Sequence, residues 1–197
     1  MQDTSKVFRR VGGILLAAGR SRRFRGDKQT ARFRGTPLLQ RAAAALKESG
    51  AEPLVAVLRP DAEAHQELLI RLGFPFVINE DASQGMSSTI KLGLQYISAK
   101  SIGAVLITTC DQPLVTHVQL KTMIDQWHVD MPLALAAAYS DTIGVPAIIS
   151  IELFPQLMAL EGDRGAGPLL RSISGVATFS LPEAGFDIDS SDQIGAR

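Results

Sequence analysis

Short, unbroken apolar runs alternate with longer stretches of helical period along this chain. The runs are Val11–Ala17, Leu54–Leu58, Phe74–Ile78, Ala104–Thr108, Leu133–Tyr139, Pro146–Ile149 and Ala177–Leu181. Continuous apolarity over so few residues predicts strands buried on both faces, as in a parallel sheet. Between them, Pro37 opens a predicted helix through Glu48, with Leu38, Leu39, Ala42 and Leu46 on one face and Gly50 placed to stop it. Pro60 and Asp61 start a second helix to about Leu72, before Gly73. Gly85–Ser98 reads as a third, with Met86, Ile90, Leu94 and Ile97 at helical spacing. Thr116 and Gln119 form a capping-box pattern ahead of a fourth, which carries Val118, Met123, Ile124 and Trp127. A turn around Asp141 to Gly144 separates two strands, and two short helices follow near Ile151–Leu160 and Gly167–Ser172. Met1 to Arg10 is polar and reads as a flexible tail, while Phe186–Asp192 closes the chain.

Strands alternating with helices predict an α/β fold: one three-layer, Rossmann-like domain over residues 1–197, with a mostly parallel sheet. No internal repeat, low-complexity tract or linker interrupts it. Ligands in such sheets bind beyond the carboxyl ends of the strands, at a topological switch point. Gly19–Lys28 and Cys110–Pro113 both lie just past strand ends, so they can meet at one edge of the sheet.

Composition narrows the picture. Formal net charge is zero, which gives no support to nucleic-acid or membrane-surface binding. The charges are unevenly spread, however. Arg20, Arg22, Arg23, Arg25, Lys28, Arg32 and Arg34 face a single acid, Asp27, while Glu183 to Asp192 carries acids and no base. These are either two halves of a site for metal-bound polyphosphate or two solvated loops; the charge pattern alone allows both. One cysteine, Cys110, excludes an internal disulfide and fits a reducing compartment. No run approaches the ~18 apolar residues of a membrane span, and no signal-peptide pattern opens the chain. A cytoplasmic protein is expected.

Candidate chemistry starts at Leu16 to Lys28, L-A-A-G-R-S-R-R-F-R-G-D-K. A buried strand emptying into a Gly- and Arg-rich turn brings converging N–H groups and cations to one place, which suits phosphates. No G-x-x-x-x-G-K-[ST], G-x-G-x-x-G or G-x-S-x-G motif is present. His65, His117 and His128 lack metal-ligand spacing, and each reads as a surface or helix residue. Cys110 reads as a small buried residue without an activating neighbour. Taken alone, Asp111 is a turn residue or a ligand, Asp187 and Asp189 are solvated acids or ligands, and Ser87–Thr89 cap a helix or hold an anion.

The Leu16–Lys28 block resembles the L-A-[AG]-G-x-S-x-R-M-G-x-x-K signature of the MobA-like nucleotidyltransferases. Five further blocks resemble the family in order: Asn79 followed by G-M-S-S-T-I-K-L-G-L at Gly85–Leu94, Asp111-Gln112-Pro113, Gly144-Val145-Pro146, G-D-R-G-A-G at Gly162–Gly167, and D-I-D-S-S-D at Asp187–Asp192. Together they are most similar to the molybdenum cofactor cytidylyltransferase branch. Two departures stand out: Phe24-Arg25 replaces the usual Met-Gly, and Gly167 replaces a common Arg.

The resemblance implies a nucleotide-diphospho-sugar transferase type of fold and Mg²⁺-dependent transfer of CMP from CTP to a molybdopterin phosphate, with loss of pyrophosphate. Lys28 with Arg22 or Arg23 would neutralise the triphosphate. Leu16, Ala17, Ala18, Gly19, Ser21, Asn79, Ser87 and Ser88 would bind the nucleotide, with Ala18 favouring CTP over GTP. Asp111 and Asp189 would hold Mg²⁺, and Asp163, Arg164 and Asp187 would meet the acceptor, whose phosphate is the nucleophile. Expected partners are the nucleoside triphosphate, a molybdopterin-type cofactor and a recipient molybdoenzyme. Two alternatives stand beside this: a relative using GTP or another phosphorylated acceptor, and a non-catalytic protein that delivers the finished cofactor.

Overall fold

The computed structural model describes residues 10–19, 24 and 26–194. The expected tail and the candidate residues Ser21, Arg22 and Arg23 lie outside the described residues, apart from Arg10.

The first strand, β1 (Val11–Leu16), is buried along its whole length. Its apolar run has no polar alternation because both faces are covered: Ile14 belongs to the core on one side of the sheet and Leu15 to the core on the other. A two-stranded hairpin follows, β2 (Arg32–Phe33) and β3 (Thr36–Pro37), in a stretch for which the sequence predicted no element. Next come α1 (Leu38–Glu48), β4 (Leu54–Leu58), α2 (Glu63–Leu72), β5 (Phe76–Ile78), α3 (Met86–Ser98) and β6 (Ala104–Thr109). The chain continues through α4 (His117–Asp130), β7 (Ala134–Tyr139), β8 (Thr142–Ser150), α5 (Phe154–Met158), α6 (Ala166–Ser172) and β9 (Ala177–Ser180). Gly73 ends α2 in the left-handed conformation, and the Thr116–Gln119 capping box opens α4, as their sequences foretell.

The main sheet has the order β5-β4-β1-β6-β8-β7-β9, and β8 alone runs against its neighbours. Helices α1, α2 and α4 cover one face, through Leu39, Leu46, Leu69, Leu120 and Trp127. Helices α3, α5 and α6 cover the other, through Ile90, Leu94, Leu157 and Leu170. This is the expected three-layer arrangement.

The β7–β8 connection differs from the sequence reading. The turn is Ser140-Asp141, both residues with positive φ (47° and 58°), and β8 begins at Thr142 rather than Pro146. No glycine marks the turn, since short polar side chains tolerate this conformation too. The ladder register then shifts between Ala136 and Ala137, whose partners are Ala147 and Gly144, so Val145 and Pro146 bulge out of it. A bulge is where a central strand can accept a proline, which has no N–H to donate.

Helix α3 lies close on the sheet because Gly93 has no side chain. A Cβ there would stand 2.8 Å from Ile14 Cγ2 and 3.2 Å from Val57 Cγ2. Both are branched side chains fixed in the core. Gly93→Val is therefore expected to destabilise the protein by about 2–3 kcal/mol, despite the lower conformational freedom it gives the unfolded chain. The urea midpoint reads this directly.

Candidate functional site

The parallel pairing of β1 with β6 creates the site. Leu16 stands beside Thr109 at the ends of the two strands, so the segments after them leave the sheet side by side. Strands β4 and β5 continue to one side of β1, and β6 begins the other, which makes this the switch point of the sheet. A cavity of about 630 Å³ opens here. Its wall includes Leu16, Ala18, Gly19, Lys28, Gln29, Gly85, Met86, Thr89, Thr109, Cys110, Asp111, Asp163 and Asp189.

Lys28 is the electrostatic centre. Its side chain is 8% exposed, and its ammonium lies 3.1 Å from Asp111 Oδ2 and 3.2 Å from Asp189 Oδ1. Burial pulls its pKa down. The Asp111 charge and hydrogen bond outweigh that, with Asp189 adding to them, and hold it above the ordinary 10.5. Asp111 is held in turn, since the Thr109 hydroxyl donates to its Oδ1.

Asp189 reaches the site from the far end of the chain by two devices. Ile188 packs in a small cluster with Phe33 and Leu38, under the β2–β3 hairpin. The Ile188 N–H also donates to the Asp111 carbonyl at 2.9 Å, pinning the two acidic segments together. Asp187 is exposed and absent from the described cavity wall; its carbonyl accepts from Gln193. The segment is not a strand, so the two aspartates do not share a side as alternation would require.

On the opposite wall, the 162–165 turn sits against the N-terminus of α3. Ser87 N–H donates to the Gly162 carbonyl at 3.2 Å, and Met86 N–H donates to Asp163 Oδ1 at 3.3 Å. A carboxylate suits a helix N-terminus. Gly85 lets the two segments touch: its φ is +100°, and a Cβ would fall 2.6 Å from the Gly162 carbonyl carbon. Asn79 is buried and donates to Ser88 Oγ (2.9 Å) and Thr89 Oγ1 (3.1 Å). Ser88 in turn donates to the carbonyls of Asp81 and Gly85.

The structure therefore gathers Leu16, Ala18, Gly19, Lys28, Asp111, Asp163 and Asp189 around one cavity. Ala17, Asn79, Ser87, Ser88, Arg164 and Asp187 are outside its described wall, although Asn79 and Ser88 brace the start of α3. Three further residues, given no role in the site by the sequence, brace its surroundings. Gln29 is buried and donates to the Gly19 carbonyl at 2.7 Å, fixing the backbone that ends β1. Gln112 donates to the carbonyls of Val145 (3.1 Å) and Ala184 (2.9 Å), so it holds the β8 bulge. His65 is a helix residue, on α2, and is wholly buried. Only Gln112 carried a signal, its place in D-Q-P.

Asp111 and Asp189 converge on one ammonium, and their oxygens are of the donor type that suits Mg²⁺ or Mn²⁺ completed by phosphate oxygens. Cys110 lines the same cavity, but burial and then the Asp111 charge push its pKa up to about 12. The native thiol is expected to react with iodoacetamide at pH 8 about 10³-fold more slowly than the urea-unfolded chain.

Comparison with known proteins adds the following. The family described as MobA-like NTP transferase domain matches residues 13–177. A protein named nicotine blue oxidoreductase, from Paenarthrobacter nicotinovorans, is 27% identical over 194 residues, covering 93% of this chain and 94% of its own. A probable molybdenum cofactor guanylyltransferase of Chloroflexus aggregans is 34% identical over 124 residues, which is 61% of this chain and 55% of that protein. The crystal structure of Rv0371c from Mycobacterium tuberculosis H37Rv superposes with a TM-score of 0.79 at 26% identity, covering 93% and 95% of the two chains. The same protein is known as a manganese complex, with a TM-score of 0.74 at 25% identity over 88% of each chain.

Proposed function

The chain belongs to the family of MobA-like NTP transferase domains, and from that premise we propose that it transfers CMP from CTP to the phosphate of a molybdopterin-type cofactor, with release of pyrophosphate. Nucleotidyl transfer in molybdenum cofactor biosynthesis is supported by the family and by relatives named probable molybdenum cofactor guanylyltransferases. The observation that carries the reading is Lys28, bridging Asp111 and Asp189 beside the end of β1.

Nucleotidyl transfer needs little covalent chemistry from the protein. Charge builds on the α-phosphate and on the leaving pyrophosphate, and fixed cations stabilise it. Lys28 supplies one such cation at the cavity floor, and its raised pKa keeps it charged at any physiological pH. Asp111 and Asp189 are the residues that would hold a divalent cation. When bound, that ion supplies further neutralisation of phosphate oxygens. The manganese complex of the Mycobacterium tuberculosis relative supports this class of ion, and Mg²⁺ is our choice within it. Leu16, Ala18 and Gly19 line the part of the cavity where the nucleobase would lie. Ala18, in place of a second glycine, is the basis for CTP; a methyl group shapes such a pocket by a modest factor.

The deciding experiment incubates the protein with Mg²⁺, molybdopterin and each nucleoside triphosphate in turn, following pyrophosphate and the base found in the product. CTP-dependent release with a cytidylylated product is expected. A guanylylated product would correct the base and keep the reaction class. No pyrophosphate with any nucleotide would overturn the reading. A second reading, an oxidoreductase on the same frame, rests on the full-length match to nicotine blue oxidoreductase. Redox turnover of nicotine blue by the protein, in the absence of pyrophosphate release with any nucleotide, would favour it.

A further inference from the structure

Behind the cavity wall lies a buried pair to which the transfer chemistry gives no task. His65, on α2, is fully buried, and its Nε2 meets Asp27 Oδ2 at 2.5 Å. Its Nδ1 has no hydrogen-bond partner among the described residues. A carboxylate only accepts, so Nε2–H is the donor, and the other ring nitrogen is left without a partner. A buried orphan of this kind carries a desolvation cost that an apolar residue in the same place would avoid.

Asp27 is more than a partner for a histidine. Its other oxygen accepts the Gln29 N–H at 3.2 Å and faces Arg59 Nη2 at 4.0 Å. Its carbonyl accepts from the Thr30 hydroxyl and the Ala31 N–H, both at 3.2 Å. The whole 27–31 turn is thus organised around this one residue, and Lys28 is its next neighbour. The same turn is tied to the end of β1, because Gln29 and Arg59 both donate to the Gly19 carbonyl, at 2.7 and 3.3 Å. Lys28 and Gln29 line the cavity, whereas Asp27 and His65 are absent from its described wall.

We propose that His65 is a positioning residue: through Asp27 it fixes the turn that carries Lys28, and so sets where the ammonium stands against a triphosphate. The inference rests on the phosphate-gripping role given to Lys28 above. Without His65 the turn keeps its backbone bonds but loses its anchor to α2, and Lys28 becomes free to shift by a fraction of its own reach. Electrostatic grip on a phosphate depends steeply on such placement.

The test uses inorganic tripolyphosphate with Mg²⁺ as the probe, titrated calorimetrically at a temperature where circular dichroism shows every variant folded. His65→Phe keeps the ring and removes the donor, whereas His65→Gln restores an N–H at similar reach. His65→Phe is expected to weaken binding about tenfold and His65→Gln to recover it to within about threefold. In a Lys28→Ala background the same His65→Phe change is expected to cost less than about twofold, because the two residues act as one unit. A merely structural histidine would give the same loss in both backgrounds. Binding by His65→Phe within about twofold of the parent, or a full loss on top of Lys28→Ala, overturns the proposal. Should His65→Phe not fold, His65→Met, which also lacks the donor and packs more adaptably, carries the same two outcomes. Tripolyphosphate binding that is lost in His65→Phe, by a protein releasing no pyrophosphate from any nucleotide, would overturn the transfer reading and uphold the role of His65. Failure of the parent protein to bind tripolyphosphate would overturn the role of Lys28, and this inference with it.

Discussion

Lys28→Ala is expected to lower pyrophosphate release by about 10³-fold while the protein stays folded. Within the described cavity wall, Lys28 is the one cationic side chain. Losing it removes the charge that would face the leaving oxygens and leaves Asp111 and Asp189 opposed without a cation between them. Both carboxylates reach water, with side-chain exposures of 32% and 58%, so the stability cost is modest, about 1 kcal/mol. The sign of its pH dependence follows from the raised pKa of Lys28. A lysine held above 10.5 contributes stability that is full below that pH and is lost as pH rises through the higher folded-state value. Thermal melts of parent and variant should accordingly differ at pH 8 and converge in strong alkali. Turnover within tenfold of the parent would show that the site works without this ammonium.

Asp111→Asn has the second large effect, a fall in turnover of about 10²–10³-fold together with a higher Mg²⁺ requirement. The amide keeps the shape and still accepts from Thr109, so folding and the Ile188 N–H bond to the Asp111 carbonyl are preserved. What is lost is one of two negative charges that converge on a single point. Asp189→Asn should act in the same direction and more weakly, because its carboxylate is the more exposed of the two. Mg²⁺ titrations of activity separate this from a folding defect: added metal recovers part of the rate in Asp111→Asn and does nothing for a protein that is unfolded.

Much of this arrangement was legible in the residues, for identifiable reasons. Strand β1 could be found because a strand covered on both faces has no polar alternation to confuse it. Lys28 and Asp111 could be paired because both follow the ends of buried runs, and such ends meet at the switch point of a parallel sheet. Asp189 was preferred to Asp187 for the metal on the resemblance, but the residues alone gave no physical reason for the preference. The reason depends on Ile188 turning into the cluster under the hairpin, a tertiary fact. The hairpin itself was hidden because strands of two residues leave no period to read. The start of β8 was missed because Ser140-Asp141 adopts a conformation usually signalled by glycine. His65 could be read as a helix residue, but helical spacing does not locate the single acid that a buried ring will find, here 38 residues earlier.

The three charges at the centre of the cavity come from positions separated by 83 and 161 residues. A site closed over such spans has no local precursor, since each pairing must wait for the intervening chain to collapse around it. Lys28 therefore waits for 161 further residues before it meets the second of its two counter-charges, and a chain cut between Asp111 and Asp189 would keep only the first.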